Sequence, residues 1–315
     1  MAVPAMAQRP TAEVAKAASA GSGWNWREDL VGWAFAAPFV ILFLLFLAFP
    51  IGASLALSFT SFGLRDLQNP IGATFVGLQN YADLLADPKF WTSLLNTAYF
   101  VVIGVPVTLA VGLLIANALN SGVNRLKTVF RVGYYLPVIT SIVAIAVVWR
   151  FLLNPDVGLV NMLLKAVGID GPAWLANPVT AMPSIIAMGV WRNLGFAMIV
   201  FLAGLQAIPK VLYEAGSIDG AGRWQAFRFI TLPMLRPTIL FMTVITTIGY
   251  LQLFEEPFVM TGGGPLDTTV SVTMYMYQQG FTFFHQGYAS AIAYVLFLIV
   301  AFVAFLQFKF LRSDS

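Results

Sequence analysis

Six runs of apolar residues, at about 31–54, 94–118, 132–153, 182–206, 237–258 and 288–308, alternate along the chain with shorter polar stretches. Each run is long enough to carry a helix across about 30 Å of hydrocarbon, which takes roughly 20 residues at 1.5 Å per residue. None shows the strict alternation of a barrel strand, and a backbone in lipid must pair its own N–H and C=O groups. The pattern therefore predicts an all-α fold, a polytopic membrane protein with six transmembrane helices. Composition agrees: 59% of the 315 residues are hydrophobic and only 10% charged, against about 25% charged in a soluble domain.

Orientation follows from the basic residues, which gather at the cytoplasmic ends of spans. With the N-terminus inside, Arg9, Lys16, Arg27, Arg125, Lys127, Arg131, Lys210, Arg223, Arg228, Arg236, Lys309 and Arg312 all fall on the inner side. Only Arg65, Lys89 and Lys165 fall in outer loops. Both termini are thus expected in the cytoplasm. The net charge of +3 reports this topology, so nucleic acid is not implied. Residues 1–29, rich in Ala, Ser, Gly and Pro, read as a disordered cytoplasmic tail without a cleavage pattern; residues 30–315 read as one integral domain.

Within the spans, Pro137 is expected to bend the inner end of the third run, because proline removes a helix donor. A short amphipathic piece is expected around Val160–Val167, and the glycines and proline of Thr261–Pro265 predict an outer turn. Asp83, Asp87, Asp156 and Asp267 are expected to face solvent. The chain contains no cysteine and a single histidine, His285, so disulfides and thiolate metal sites are excluded and His285 cannot hold a metal alone. No Gly-x4-Gly-Lys-Ser/Thr phosphate loop is present. The chain is accordingly expected to be no enzyme, to need no cofactor and to draw energy from elsewhere.

The most informative segment lies between the fourth and fifth runs, from Glu214 to Pro237. Glu214, Ala215, Ile218 and Ala221 follow helical spacing, Gly216 and Gly220 leave room for close backbone approach, and Leu232-Pro233 is expected to end a second short helix. The acid pair Glu214 and Asp219 on the basic side of a membrane argues against a helix that only rests on head groups. An ordered amphipathic element at that place points to a partner in the water.

Glu214, Ala215, Asp219, Gly220, Ala221, Phe227, Leu232, Pro233 and Pro237 resemble the EAA motif of binding-protein-dependent ABC importers, with Gly216 where that motif usually has alanine. Gly77–Tyr81, Asn96-Thr97, Tyr135-Leu136-Pro137, Gly158–Asn161 and Thr261–Pro265 extend the resemblance to the sugar permeases of the maltose and glycerol-phosphate type. The resemblance implies a permease subunit in a bacterial plasma membrane, importing a carbohydrate and forming half of the translocation pathway. It also implies a cytoplasmic coupling helix at residues 211–224 seated in an ATPase. The implied partners are a second permease, two ATP-binding subunits, an extracellular solute-binding protein, the sugar and the lipid bilayer.

For the sugar path, Gly189, Arg192, Asn193 and Phe196 form a helical stripe on the fourth run, and Gly249, Tyr250 and Leu253 another on the fifth. Arg192 lies roughly 15 Å from the outer end and Tyr250 roughly 20 Å from the inner face at 1.5 Å per residue, so the two stripes overlap in depth. In maltose-type permeases the corresponding stripes line the sugar site. A buried arginine usually faces a cavity or a partner, which leaves two compatible expectations for Arg192: contact with substrate, or an ion pair with Glu255 or Glu256. Two alternatives stand beside a sugar importer, namely import of glycerol-phosphate-type polyols and secondary transport driven by an ion gradient.

Overall fold

The computed structural model describes residues 26–68, 73–121 and 127–311. The expected tail lies outside the described residues up to residue 25, as do Arg125 and Arg312. Two compact units are present, Met1–Ala53 and Ser54–Ser315. Helix α1 (Trp26–Phe43) and a π turn at Leu44–Ala48 lie in the first, and the following α2 (Phe49–Ser58) belongs to it only as far as Ala53. The Phe49 N–H donates to the Leu44 carbonyl just before Pro50, whose missing N–H cannot continue an α-helical ladder.

The second unit continues with α3 (Gln79–Ala86), α4 (Pro88–Ser121), α5 (Lys127–Ile139), α6 (Ile142–Leu152), α7 (Leu159–Ala166) and α8 (Pro178–Ala207). Next come α9 (Lys210–Ile218), α10 (Arg223–Ala226), a π turn at Phe227–Thr231 and α11 (Leu232–Met234). The chain closes with α12 (Arg236–Leu251), α13 (Glu255–Met260), α14 (Val272–Tyr277) and α15 (Gln286–Leu311). Among the described residues the only strand-like contact is an isolated antiparallel bridge between Thr60 and Phe75.

The stretches Leu30–Ser58, Pro88–Asn120, Pro178–Ala207 and Gln286–Phe310 are each long and apolar enough to cross a membrane. Two bent pairs, Lys127–Ile139 with Ile142–Leu152 and Arg223–Met234 with Arg236–Leu251, raise the number to 6 if each is one span. The all-helical expectation is met, but two expected runs are broken. The first turns by 100°, and the break lies at Thr140–Ser141, beyond Pro137. Thr140 Oγ1 donates to the Leu136 carbonyl at 2.8 Å, and Ser141 adopts ψ 125 before α6 begins. The fifth run also stops short of its expected end: α12 closes at Leu251, and Pro257 sits in the first turn of the separate helix α13. A first-turn proline is tolerated because its missing N–H has no intrahelical partner to lose.

Helices α4 and α8 form the centre of the second unit. Phe100, Ile185, Met188 and Tyr250 pack in one buried cluster, while Leu113, Ala197, Phe201, Leu205 and Met242 pack in a second. Lipid tails are as apolar as these side chains, so close van der Waals fit rather than water exclusion holds such helices together. The amphipathic piece expected near Val160–Val167 is α7. Its buried Asn161 accepts from Trp174 Nε1 at 2.7 Å and donates to the carbonyls of Pro155 and Pro172.

Asp87 does not simply face solvent. It receives the backbone N–H of Lys89 at 2.8 Å, the Tyr288 hydroxyl at 2.8 Å and the Tyr275 hydroxyl, which tie the start of α4 to α14 and α15. Asp267 is likewise engaged, pairing with Lys89 at 3.2 Å. Burial pushes the Asp87 carboxyl up, but the hydrogen bonds from Tyr275, Tyr288, Lys89 and Phe90 outweigh it and hold the pKa below the ordinary 3.8. A lowered folded pKa gives stability that is present above the unfolded value and lost as pH falls through the folded one. Asp87→Asn is expected to lower stability at neutral pH by about 1.5–3 kcal/mol, the scale for hydrogen bonds to a charged group. Melting curves taken from neutral pH into acid should show that deficit shrinking only below 3.8; a deficit independent of pH would refute the charge-based account.

Candidate functional site

Two places carry the sequence expectations. The first is the segment between α8 and α12. Pro209 precedes α9, whose last turn presents Ile218 at 86% exposure, and Asp219 then ends the helix with its N–H on the Ala215 carbonyl at 3.0 Å. Gly220 follows at φ +80 with nothing near its Cβ position, a left-handed conformation that costs glycine little. The Ala221 N–H then returns to the Gly216 carbonyl at 2.9 Å. Glu214, Ala215, Asp219 and Gly220 are exposed, whereas Gly216 and Ala221 are half-buried.

This hairpin rests on the chain through its other side. The hydroxyls of Tyr213 and Thr231 are 2.9 Å apart, and Trp224 stacks on Phe227 with centroids at 5.8 Å. A Cβ at Gly216 would stand 2.9 Å from Cδ1 of Ile230, so glycine there lets α9 settle closer to the π turn than the usual alanine. Leu232-Pro233, expected to end the second helix, lies in its last turn: the helical path stops at Met234 and bends by 66° into α12.

The second place is a cavity of about 260 Å³ where α8, α12 and α13 meet. Arg192, Asn193, Gly249, Tyr250 and Leu253 line it, so the two stripes do converge. Gly189 and Phe196 do not line it. Gly189 is turned to Phe100, whose Cζ would be 2.9 Å from its Cβ, and Phe196 packs with the second core cluster. The Tyr250 ring is packed edge-on to Phe100 at 4.8 Å, with its hydroxyl 2.8 Å from Thr108 Oγ1 and donating to the Gly189 carbonyl at 3.3 Å. Tyr250 is therefore a wall rather than a free stacking face.

The cavity also contains Gln252, Glu255 and Glu256, which the stripes had not included. Helical spacing alone hid them, because α12 ends at Leu251 and Glu255 and Glu256 begin the separate helix α13. Arg192 forms no ion pair with either glutamate; among the described residues the ion pair within 4.0 Å is Lys89–Asp267. Its Nε is buried without a hydrogen-bond partner. Gln252 and Glu255 border a further cavity of about 440 Å³ on their other side. Arg150, near the end of α6, donates to the Val259 carbonyl at 3.2 Å.

The model of the family described as binding-protein-dependent transport system inner membrane component matches residues 108–312, which include both places. The chain belongs to that family. This inner membrane component is 41% identical to the probable ABC transporter permease protein YesP of Bacillus subtilis, with 90% of the chain and 91% of the relative covered. It is 40% identical to the lactose transport system permease protein LacF of Rhizobium radiobacter, over 90% and 95% of the two chains. Its fold matches a bacterial alginate ABC transporter, solved in complex with an alginate pentasaccharide-bound periplasmic protein, at TM-score 0.78 and 25% identity over 91% and 95% of the chains. As a family member the chain is a transport component.

Proposed function

We propose that this permease forms half of the translocation pathway of an ATP-driven importer for a carbohydrate, docking a cytoplasmic ATPase through residues 211–224. The observation that carries the reading is the α9–α10 hairpin, which is anchored by Tyr213 and Thr231 yet holds Ile218, Glu214 and Asp219 out to solvent. An element fixed on one side and bare on the other can pass on a rigid-body push. The chain has no phosphate loop of its own, so the energy enters through this contact.

In this reading both termini lie in the cytoplasm, and the complete transporter comprises this chain, a second permease, two ATP-binding subunits and an extracellular solute-binding protein. The sugar class draws support from relatives named for lactose and alginate. The cavity lined by Arg192, Asn193, Gly249, Tyr250 and Leu253 is the sugar path. Mass spectrometry of whatever co-purifies with the tagged chain in mild detergent tests the assembly. An ATPase and a second permease are expected; recovery of the chain alone, under conditions that preserve known complexes, would shift the case to ion-driven transport.

A further inference from the structure

We propose that Glu256 sets the charge class of the cargo, so that the cavity takes neutral and amino-bearing glycans and turns away those carrying carboxylates or sulfonates. This rests on the reading of the cavity as the sugar path. Glu256 is 7% exposed and lines the cavity. Among the described residues it has no ion pair within 4.0 Å. A carboxylate withdrawn from water is costly to the fold, and the attraction of Arg192, which forms no ion pair with it, compensates only in part. A donor arriving with the cargo adds to that compensation.

The surrounding groups point the same way. Asn193 gives an amide N–H to the Gly189 carbonyl at 2.8 Å, and Gln252 gives one to the Ile248 carbonyl at 3.3 Å. Tyr250 directs its hydroxyl to Gly189. One N–H of each amide is thus held by the protein, the carboxyl oxygens of Glu255 and Glu256 add acceptors to the lining, and Arg192 is the cation among its residues. Sugar hydroxyls both donate and accept, so one ring can satisfy the idle Nε of Arg192 and the carboxylate of Glu256 together. An ammonium group adds a charge-assisted bond to Glu256 or Glu255. An acidic glycan meets two carboxylates for one guanidinium, in a medium that screens like-charge repulsion poorly. Exclusion by repulsion is as much a source of selectivity as attraction.

The test uses the assembled transporter, with its partner permease and ATPases, in detergent and without the solute-binding protein, which has a selectivity of its own. Thermal-shift titrations compare di- to tetrasaccharides of β-glucan, chitosan and polygalacturonate at neutral pH. The wild type is expected to be stabilised by the glucan and chitosan fragments and not by the galacturonate. Glu256→Gln is expected to narrow the chitosan-to-galacturonate ratio of apparent affinities by about tenfold, equivalent to about 1.4 kcal/mol. Glu255→Gln, an exposed neighbour in the same turn, provides a second variant if Glu256→Gln does not assemble, and a narrowing of the same sign is expected. Galacturonate binding as tight as glucan binding in the wild type overturns the proposal, as does an unchanged order in both variants. Absence of any response to all three sugars in a transporter that hydrolyses ATP overturns the sugar-path reading itself, with the charge assignment falling only as a consequence.

Discussion

Gly195→Ala is expected to destabilise the permease severely, although it adds a single methyl group. The Cβ would stand 2.1 Å from the Tyr134 carbonyl oxygen and 2.8 Å from the Tyr135 Cα, both backbone atoms of α5 that cannot rotate away. Overpacking of this kind typically costs about 1–3 kcal/mol, and a contact with rigid backbone belongs at the upper end. A melting temperature lower by several degrees is the expected result, since each kcal/mol shifts Tm by about 2–4 °C in a chain of roughly this size. Gly195→Leu is expected to yield no assembled protein. Gly133→Ala is the internal control: it lies on the same helix α5 with nothing within 4 Å of its Cβ position, and helix propensity favours alanine by about 0.5–1 kcal/mol. Equal melting temperatures for Gly195→Ala and Gly133→Ala would show that α5 does not rest on α8 at this point.

That contact also explains what the sequence could and could not disclose. Apolar length and the absence of alternation were enough to predict helices, and the segments 182–206 and 288–308 became α8 and α15 with only a few residues added at the ends. The bend of the third run was anticipated at Pro137, yet proline only removes one donor and one good contact. The position of the turn at Thr140–Ser141 reflects the local bonding of Thr140 to Leu136 and the seating of Tyr134 and Tyr135 on Gly195. A residue sixty positions away along the chain leaves no trace in local periodicity.

The cavity shows the same limit. Depth arithmetic brought Arg192 and Tyr250 to one level, and they do line one space. Extending each stripe by i+3 and i+4 then included Gly189 and Phe196, which pack into the cores, and missed Gln252, Glu255 and Glu256 beyond the end of α12. Two consecutive glutamates in a hydrophobic run were the available signal. Depth alone makes them candidate partners for Arg192, whereas the structure leaves all three charged groups unpaired with one another and facing the same void.

Ile218→Asp is expected to abolish coupled uptake while leaving the permease folded and in the membrane. The Ile218 side chain is 86% exposed and contributes to no core cluster, so its replacement costs the chain itself little. Burying an isoleucine side chain against a partner contributes about 1.5–3 kcal/mol, and a carboxylate at the same place adds an unpaired charge to the contact. Loss of about 1.4 kcal/mol is a tenfold loss of affinity, and the variant is expected to exceed that. Sugar uptake should fall by more than about tenfold, with chain abundance and melting temperature unchanged and the ATPase missing from the purified complex. Glu214→Lys on the same exposed surface should act in the same direction. Gly220→Ala separates docking from backbone shape: its Cβ meets open space, but φ +80 is strained for alanine by about 1–2 kcal/mol, so the turn rather than the docking face is disturbed and a smaller loss is expected. Normal uptake in Ile218→Asp, with the ATPase retained, would remove the coupling helix from residues 211–224, because Ile218 is the most exposed apolar side chain of α9.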